Sequence, residues 1–228
     1  MAQIEPIAHI FTPYTGKFGI PRQPGLVDNV SRIVFVPAYR DPNALRGIGD
    51  FSHLWLIWQF SENLREGFSP TVRPPRLGGN ERVGVFATRS SFRPNALGLS
   101  AVRLLRVDYA DKDGPILLVG GADLLSGTPI FDIKPYLPFA DAIPDAEAGF
   151  AGAVEKNDVG VAFACDTSAI PERLLTELSA VLRQDPRPHY RTDETRVYAF
   201  EYSGVHVEFV GTEKEITVIK AEPAAHGA

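Results

Sequence analysis

Three segments of the chain combine a stiffened backbone with polar groups that could hold a ligand. The first is Ile20-Pro21-Arg22-Gln23-Pro24-Gly25. The second runs from Thr71 through Arg73, Pro74, Pro75, Arg76 and Gly78-Gly79-Asn80, and on through Val83-Gly84-Val85-Phe86-Ala87-Thr88-Arg89-Ser90-Ser91-Phe92-Arg93-Pro94-Asn95. The third is Ala122-Asp123-Leu124-Leu125-Ser126-Gly127-Thr128-Pro129-Ile130-Phe131-Asp132-Ile133-Lys134-Pro135-Tyr136. Proline lowers the entropy lost when a loop orders, and glycine lets backbone approach a ligand closely. Arginine adds planar, bidentate contact to carboxylate or phosphate. The same residues also make ordinary tight turns, so residue type alone leaves both readings open.

The familiar catalytic signatures are missing. No Gly-x-Gly-x-x-Gly, phosphate loop, His-Glu-x-x-His helix or Gly-x-Ser-x-Gly elbow occurs. The five histidines (His9, His53, His189, His206, His226) are dispersed, and Cys165 is the only cysteine, so neither a metal nor a disulfide framework is expected. His53, in an aromatic and apolar run, reads as a hydrogen-bonded core histidine. Net charge is −5, but seven arginines (73, 76, 82, 89, 93, 103, 106) and one acid, Glu81, lie between Thr71 and Arg106. That segment is +6, which leaves −11 on the rest. A polyanion can still be held locally, because screening confines each field to about 8–10 Å.

The elements that must position these loops are short. The chain has 228 residues, with 44% hydrophobic residues, 20 glycines and 19 prolines, which suits a packed domain rich in turns rather than a helical bundle. The longest apolar run, Leu54-Trp55-Leu56-Ile57-Trp58, is too short to cross a bilayer, and no secretory signal opens the chain, which suits a cytoplasmic protein. Strands are expected at 31–36, 54–60, 83–87, 99–107 and 116–119, and many short strands between turn signals favour an antiparallel barrel. The proline-rich, acidic stretch 135–152 reads as a linker or arm. Beyond it come a strand at 159–164 and a helix over 171–184, with Leu174, Leu175, Leu178, Val181 and Leu182 on one face. A hairpin around Ser203-Gly204 and a strand at 215–220 complete a small α+β unit. The expected division is a barrel over 1–150 and an α+β domain over 151–228.

The strings PRQPG (21–25), FSHLW (51–55), PTVRPPRLGGN (70–80), VGVFATRSSFRPN (83–95), GTPIFDIKPYLPFA (127–140) and DPRPHY (185–190) resemble the TsaA-like family, over nearly the whole chain. The resemblance implies a mainly β fold, a small antiparallel barrel that binds S-adenosylmethionine, with the α+β tail assisting tRNA binding. It implies a homodimer that methylates N6 of threonylcarbamoyladenosine at position 37 of threonine tRNA. By resemblance, cofactor contacts fall to Pro21, Arg22, Gln23, Ser61, Glu62, Arg89, Leu99 and the turn Ser126-Gly127-Thr128-Pro129, whose N–H groups would hold an adenine edge or a carboxylate. Family members often carry Asp where this chain has Ser126. Arg73, Arg76, Arg93 and Arg187 are expected at tRNA phosphates, and Asn95 and Asp132 are the candidate acceptors of the N6 proton. Two other readings stand beside this one. One is a non-catalytic RNA-binding barrel, and the other is an S-adenosylmethionine-dependent enzyme acting on a small anion.

Overall fold

The computed structural model describes residues 4–62, 69–74, 81–152, 159–187 and 193–224. Six antiparallel strands close a barrel in the order β1 (Ala8–Phe11), β2 (Val30–Phe35), β7 (Ile116–Gly120), β6 (Leu97–Asp108), β3 (His53–Gln59) and β8 (Thr128–Pro135), with β8 returning to β1. The fold class expected from the sequence is therefore observed. Closure leaves no open strand edge on this sheet. A short hairpin, β4 (Thr71–Val72) with β5 (Val83–Gly84), stands apart from it. In the C-terminal part, β10 (Tyr198–Tyr202), β11 (Val205–Gly211) and β12 (Glu215–Pro223) form an antiparallel meander, and β9 (Gly160–Phe163) joins β12 in parallel.

Two corrections concern residues 8–135. β1 and β8, the strands that close the barrel, were not expected, because Pro129 and Pro135 gave the third segment the look of a loop. Pro129 is paired with His9 and Pro135 with Leu54, near the two ends of β8, where a missing N–H is tolerated. The strand expected at 83–87 stops at Gly84, and Val85–Ala87 is a 3-10 turn. Thr88 closes that turn through its N–H and its hydroxyl, both donating to the Val85 carbonyl. Within the arm at 135–152, Pro138–Asp141 forms one helical turn, α1.

The long apolar run in β3 is buried on two sides for different reasons. Leu54, Leu56 and Trp58 point into the barrel core, while Trp55 and Ile57 are half-buried on its outer face. Trp58 fits because its neighbour on β6 is Gly98, where an added Cβ would lie 2.3 Å from the indole. The indole N–H then reaches the Ser100 hydroxyl at 3.0 Å.

A second hydrophobic core lies under the C-terminal sheet, where α2 (Glu172–Arg183) buries Leu178, Val181 and Leu182 as its spacing predicts. This core is not built from the tail alone. Tyr14 and Val27 are buried in it, and Phe18 and Ile20 pack against it from the segment between β1 and β2. Substituting Gly98 by Ala is expected to lower stability by about 1–3 kcal/mol, since the core must shift to admit the methyl group. A urea melt with an unchanged midpoint would show that Trp58 has room to move.

Candidate cofactor cavity and nucleic-acid groove

Beside β3 and β6 lies a cavity of about 630 Å³, within the range of small-molecule sites. Its apolar wall comes from Trp55, Ile57, Trp58 and Phe60 of the β3 run and from Leu97 and Leu99 of β6. Ile57 and Leu99 are direct partners in the β3–β6 ladder, which explains why one stretch of sheet supplies both. The opposite wall is Lys17, Ile20, Pro21, Arg22 and Gln23, part of the segment anchored in the second core. At the rim Lys17 pairs with Glu62 at 3.3 Å. Arg89 donates to the side-chain oxygen of Gln23 and so joins the first two sequence segments across the cavity.

The third segment contributes Asp123, Leu125 and Thr128. Asp123 accepts a hydrogen bond from the Ser100 hydroxyl at 2.6 Å, and that hydroxyl accepts from the Trp58 indole. Burial raises the pKa of this carboxyl above its usual range, against the opposing effects of Ser100, a backbone N–H and the Arg89 charge. Asp123 lies in the third segment, but sequence reasoning assigns it no role of its own. Nothing in its immediate neighbours marks it, and only the fold brings Ser100 and Arg89 to it.

Of the residues expected at the cofactor, Pro21, Arg22, Gln23, Ser61, Glu62, Arg89, Leu99 and Thr128 line this cavity. Ser126, Gly127 and Pro129 are not among its lining residues. The N–H groups of the turn are committed elsewhere: Ser126 to the Tyr14 carbonyl, Gly127 to the Ile10 carbonyl and Thr128 to the Leu125 carbonyl. The turn therefore helps close the barrel and contributes only Thr128 to the cavity lining, with its N–H groups taken by backbone carbonyls.

A larger, open groove of about 2110 Å³ adjoins the cavity and shares Arg22, Gln23, Thr88, Arg89, Arg93 and Leu97 with it. Arg73 and Arg82 lie along the groove, Phe86 and Phe92 expose their rings there, and Glu147 and Phe150 of the arm line it too. Asn95 is an exposed residue of the same groove. Asp132 is in neither space. Its carboxylate pairs with Lys134 at 2.9 Å and accepts the Ile133 N–H. His53, expected in the core, is exposed at the start of β3, with Ser52 as its hydrogen-bond partner at 2.9 Å. Its position precedes the first inward-pointing residue, Leu54, so the barrel never covers it.

Arg76 lies outside the described residues. Arg187 lies away from both spaces. Its guanidinium is bidentate on Asp185, at 2.7 and 3.1 Å, and donates to the Thr212 carbonyl at 2.7 Å. Gly211 makes this possible, because a Cβ there would come within 2.6 Å of the guanidinium. The Asp185 carbonyl in turn accepts a long bond, 3.4 Å, from Arg22 on the cavity wall. Through that contact the DPR turn reaches the wall of the cavity.

A closed barrel carries an aromatic cavity beside an arginine-lined groove, an arrangement suited in size and charge to a small ligand next to a polyanion. The comparisons with known proteins point the same way. The family model for the tRNA-methyltransferase O N-terminal domain matches residues 9–142, and the model for the C-terminal domain matches residues 161–224. The chain belongs to this family, as its TsaA-like resemblance implied. It is 43% identical to the tRNA (adenine(37)-N6)-methyltransferase of Escherichia coli K12, over 97% of this chain and 98% of that one. It is 35% identical to a "Probable S-adenosyl-L-methionine-binding protein" of Pyrococcus abyssi, over 67% of this chain and 76% of that one. A crystal structure of TrmO from Pseudomonas aeruginosa superposes with a TM-score of 0.78 at 31% identity, covering 98% of both chains.

The raised carboxyl of Asp123 has a consequence for stability. Between the ordinary carboxylate pKa and the raised one, the folded state binds more protons than the unfolded state, so stability falls as pH rises through that window. Above it, the full cost of burying the charge is present. Asp123→Asn should remove this component, flattening the stability–pH curve of the ligand-free protein on the acid side. Denaturant titrations from acid to neutral pH check it, and identical curves for the two proteins would contradict it.

Proposed function

We propose that the protein is an S-adenosylmethionine-dependent tRNA methyltransferase acting on N6 of adenosine 37, and specifically on threonylcarbamoyladenosine in threonine tRNA. The observation that carries this reading is the shared wall between the cavity and the groove. A cofactor in the first and a base delivered from the second would meet across Arg22, Arg89 and Arg93. Cavity volume, apolar walls and the opposite charges of Asp123 and Arg89 in its lining suit the cofactor's nucleoside and amino-acid ends. When bound, S-adenosylmethionine supplies a methyl group on a cationic sulfur.

The residues of the chain then bind, orient and exclude water. Arg89, which lines the cavity, is the residue we assign to the carboxylate of the cofactor, a group that a guanidinium can hold in a bidentate way. The Trp55, Ile57, Trp58 and Phe60 wall removes water from the site, and fixed orientation is the main source of rate in such a transfer. Phe86 and Phe92, exposed in the groove, offer faces on which unstacked anticodon-loop bases can lie. The threonylcarbamoyl group carries its own carboxylate, which the guanidinium groups of the shared wall can receive. Asn95, in the groove, is the better placed of the two candidate acceptors, and its side-chain oxygen could hold the N6 proton as it leaves. The groove is far larger than a small anion needs, which favours a polynucleotide.

Arg73 and Arg93 are assigned to phosphates, and Arg187 to holding the Asp185 turn. The protein acts as a homodimer in the cytoplasm, where its tRNA substrate resides. The same resemblance supports both statements, and the exposed Phe139 and Ile143 of the arm give a second chain something to cover.

The test uses threonine tRNA with and without the threonylcarbamoyl group and methyl-labelled cofactor, with a chelator present. Label should enter only the modified tRNA, and equal labelling of both, or metal dependence, would overturn the substrate assignment. In filter binding, Arg73→Ala and Arg93→Ala should each lower the salt slope by about 0.9. Arg187→Ala should leave it unchanged while destabilising the fold, because Asp185 would be left buried without its partner.

A further inference from the structure

We infer that Asp123 is the residue that reads the α-ammonium group of the cofactor, so that Asp123 and Arg89 together recognise the zwitterionic amino-acid end. The inference rests on the proposed cofactor and deepens it by assigning one subsite.

Three observations support the assignment. The carboxylate is fixed as an acceptor: the Trp58 N–H occupies the Ser100 oxygen from one side, and the Ser100 proton points to Asp123 Oδ1 at 2.6 Å. A hydroxyl used in this way favours the ionised acid and leaves the remaining lone pairs for a donor from the cavity. Second, Asp123 is largely removed from water, which makes an arriving cation worth more to it than to a surface acid. Third, the charges on this side of the cavity come in the right combination. Arg89 acts electrostatically on Asp123, and an acid beside a guanidinium is the complement of an ammonium beside a carboxylate. The other acid lining the cavity, Glu62, is at the rim and tied to Lys17. The nucleoside has a separate wall in Trp55, Trp58, Phe60 and Leu99.

Calorimetric titration of three probes separates this subsite from its alternatives. S-adenosylmethionine and S-adenosylhomocysteine both carry the ammonium, whereas 5′-methylthioadenosine keeps the nucleoside and lacks the amino-acid end. Asp123→Asn should weaken the first two by the same factor, about ten- to a hundredfold, and leave 5′-methylthioadenosine within about twofold. Equal weakening of all three would place Asp123 at the nucleoside. A larger loss for S-adenosylmethionine than for S-adenosylhomocysteine would place it at the sulfonium. Either result overturns the assignment. Should Asp123→Asn fail to fold by its melting curve, Ser100→Ala, which releases the carboxylate, must reproduce the same pattern in milder form. Wild-type protein that binds none of the probes would sink the proposed function itself, a result distinct from any pattern among the variants.

Discussion

The cavity exists because one segment is strung between two cores, and the pin that holds it is the pair Asn29 and Tyr14. Asn29 is fully buried. Its amide donates to the Tyr14 hydroxyl at 3.1 Å and to the Ala122 carbonyl at 2.8 Å, while its oxygen accepts from Ser31 at 3.0 Å. One side chain thus ties β2, the start of the crossing segment and the residue next to Asp123. Burial raises the Tyr14 pKa well above its ordinary value, so the phenol stays neutral. Its ring packs edge-on against Tyr202 at 5.3 Å, and the Ser203 N–H reaches the Pro13 carbonyl. Lys17 to Gln23, which contains Gly19 and Pro21, is therefore held against both barrel and tail. Without that anchoring, the wall carrying Arg22 and Gln23 would have no fixed distance from β3.

Electrostatics follows from the same arrangement. A chain of net charge −5 presents five arginines (22, 73, 82, 89, 93) to one continuous space, while Arg32, Arg103 and Arg106 are paired with acids on other parts of the barrel. The sum of charges thus says little about partners, because screening limits each field to its own neighbourhood. What matters is which arginines the fold leaves facing the groove.

Much of this was legible in the sequence, for reasons that particular residues make plain. The apolar stripe of α2 and the runs of β2, β3, β6 and β7 declared themselves by period and by flanking turns. β8 did not, because Gly127, Pro129 and Pro135 carry turn chemistry that the barrel closure tolerates only at the ends of the strand. Most of the cofactor residues carried over from the family line one cavity. The N–H groups of Ser126 and Gly127 are taken by Tyr14 and Ile10, more than a hundred residues away, which a linear reading does not show, and that of Thr128 closes the turn on Leu125. Asp123 and Arg187 show the same blindness from opposite directions. The first is an acid of the third segment with no assigned role that the fold brings to the cavity lining, and the second a conspicuous arginine that the fold commits to Asp185 and Thr212.

The two tryptophans of the chain, Trp55 and Trp58, both line the cavity, so the protein carries its own reporter of cofactor binding. The measurement that tests the central claim most directly is tryptophan emission during titration with S-adenosylmethionine. Occupation of this cavity must change that emission saturably, with a midpoint equal to the calorimetric Kd. Calorimetric binding with emission unaltered throughout would mean that the cofactor lies elsewhere, and that the aromatic pocket on the barrel wall is not its site.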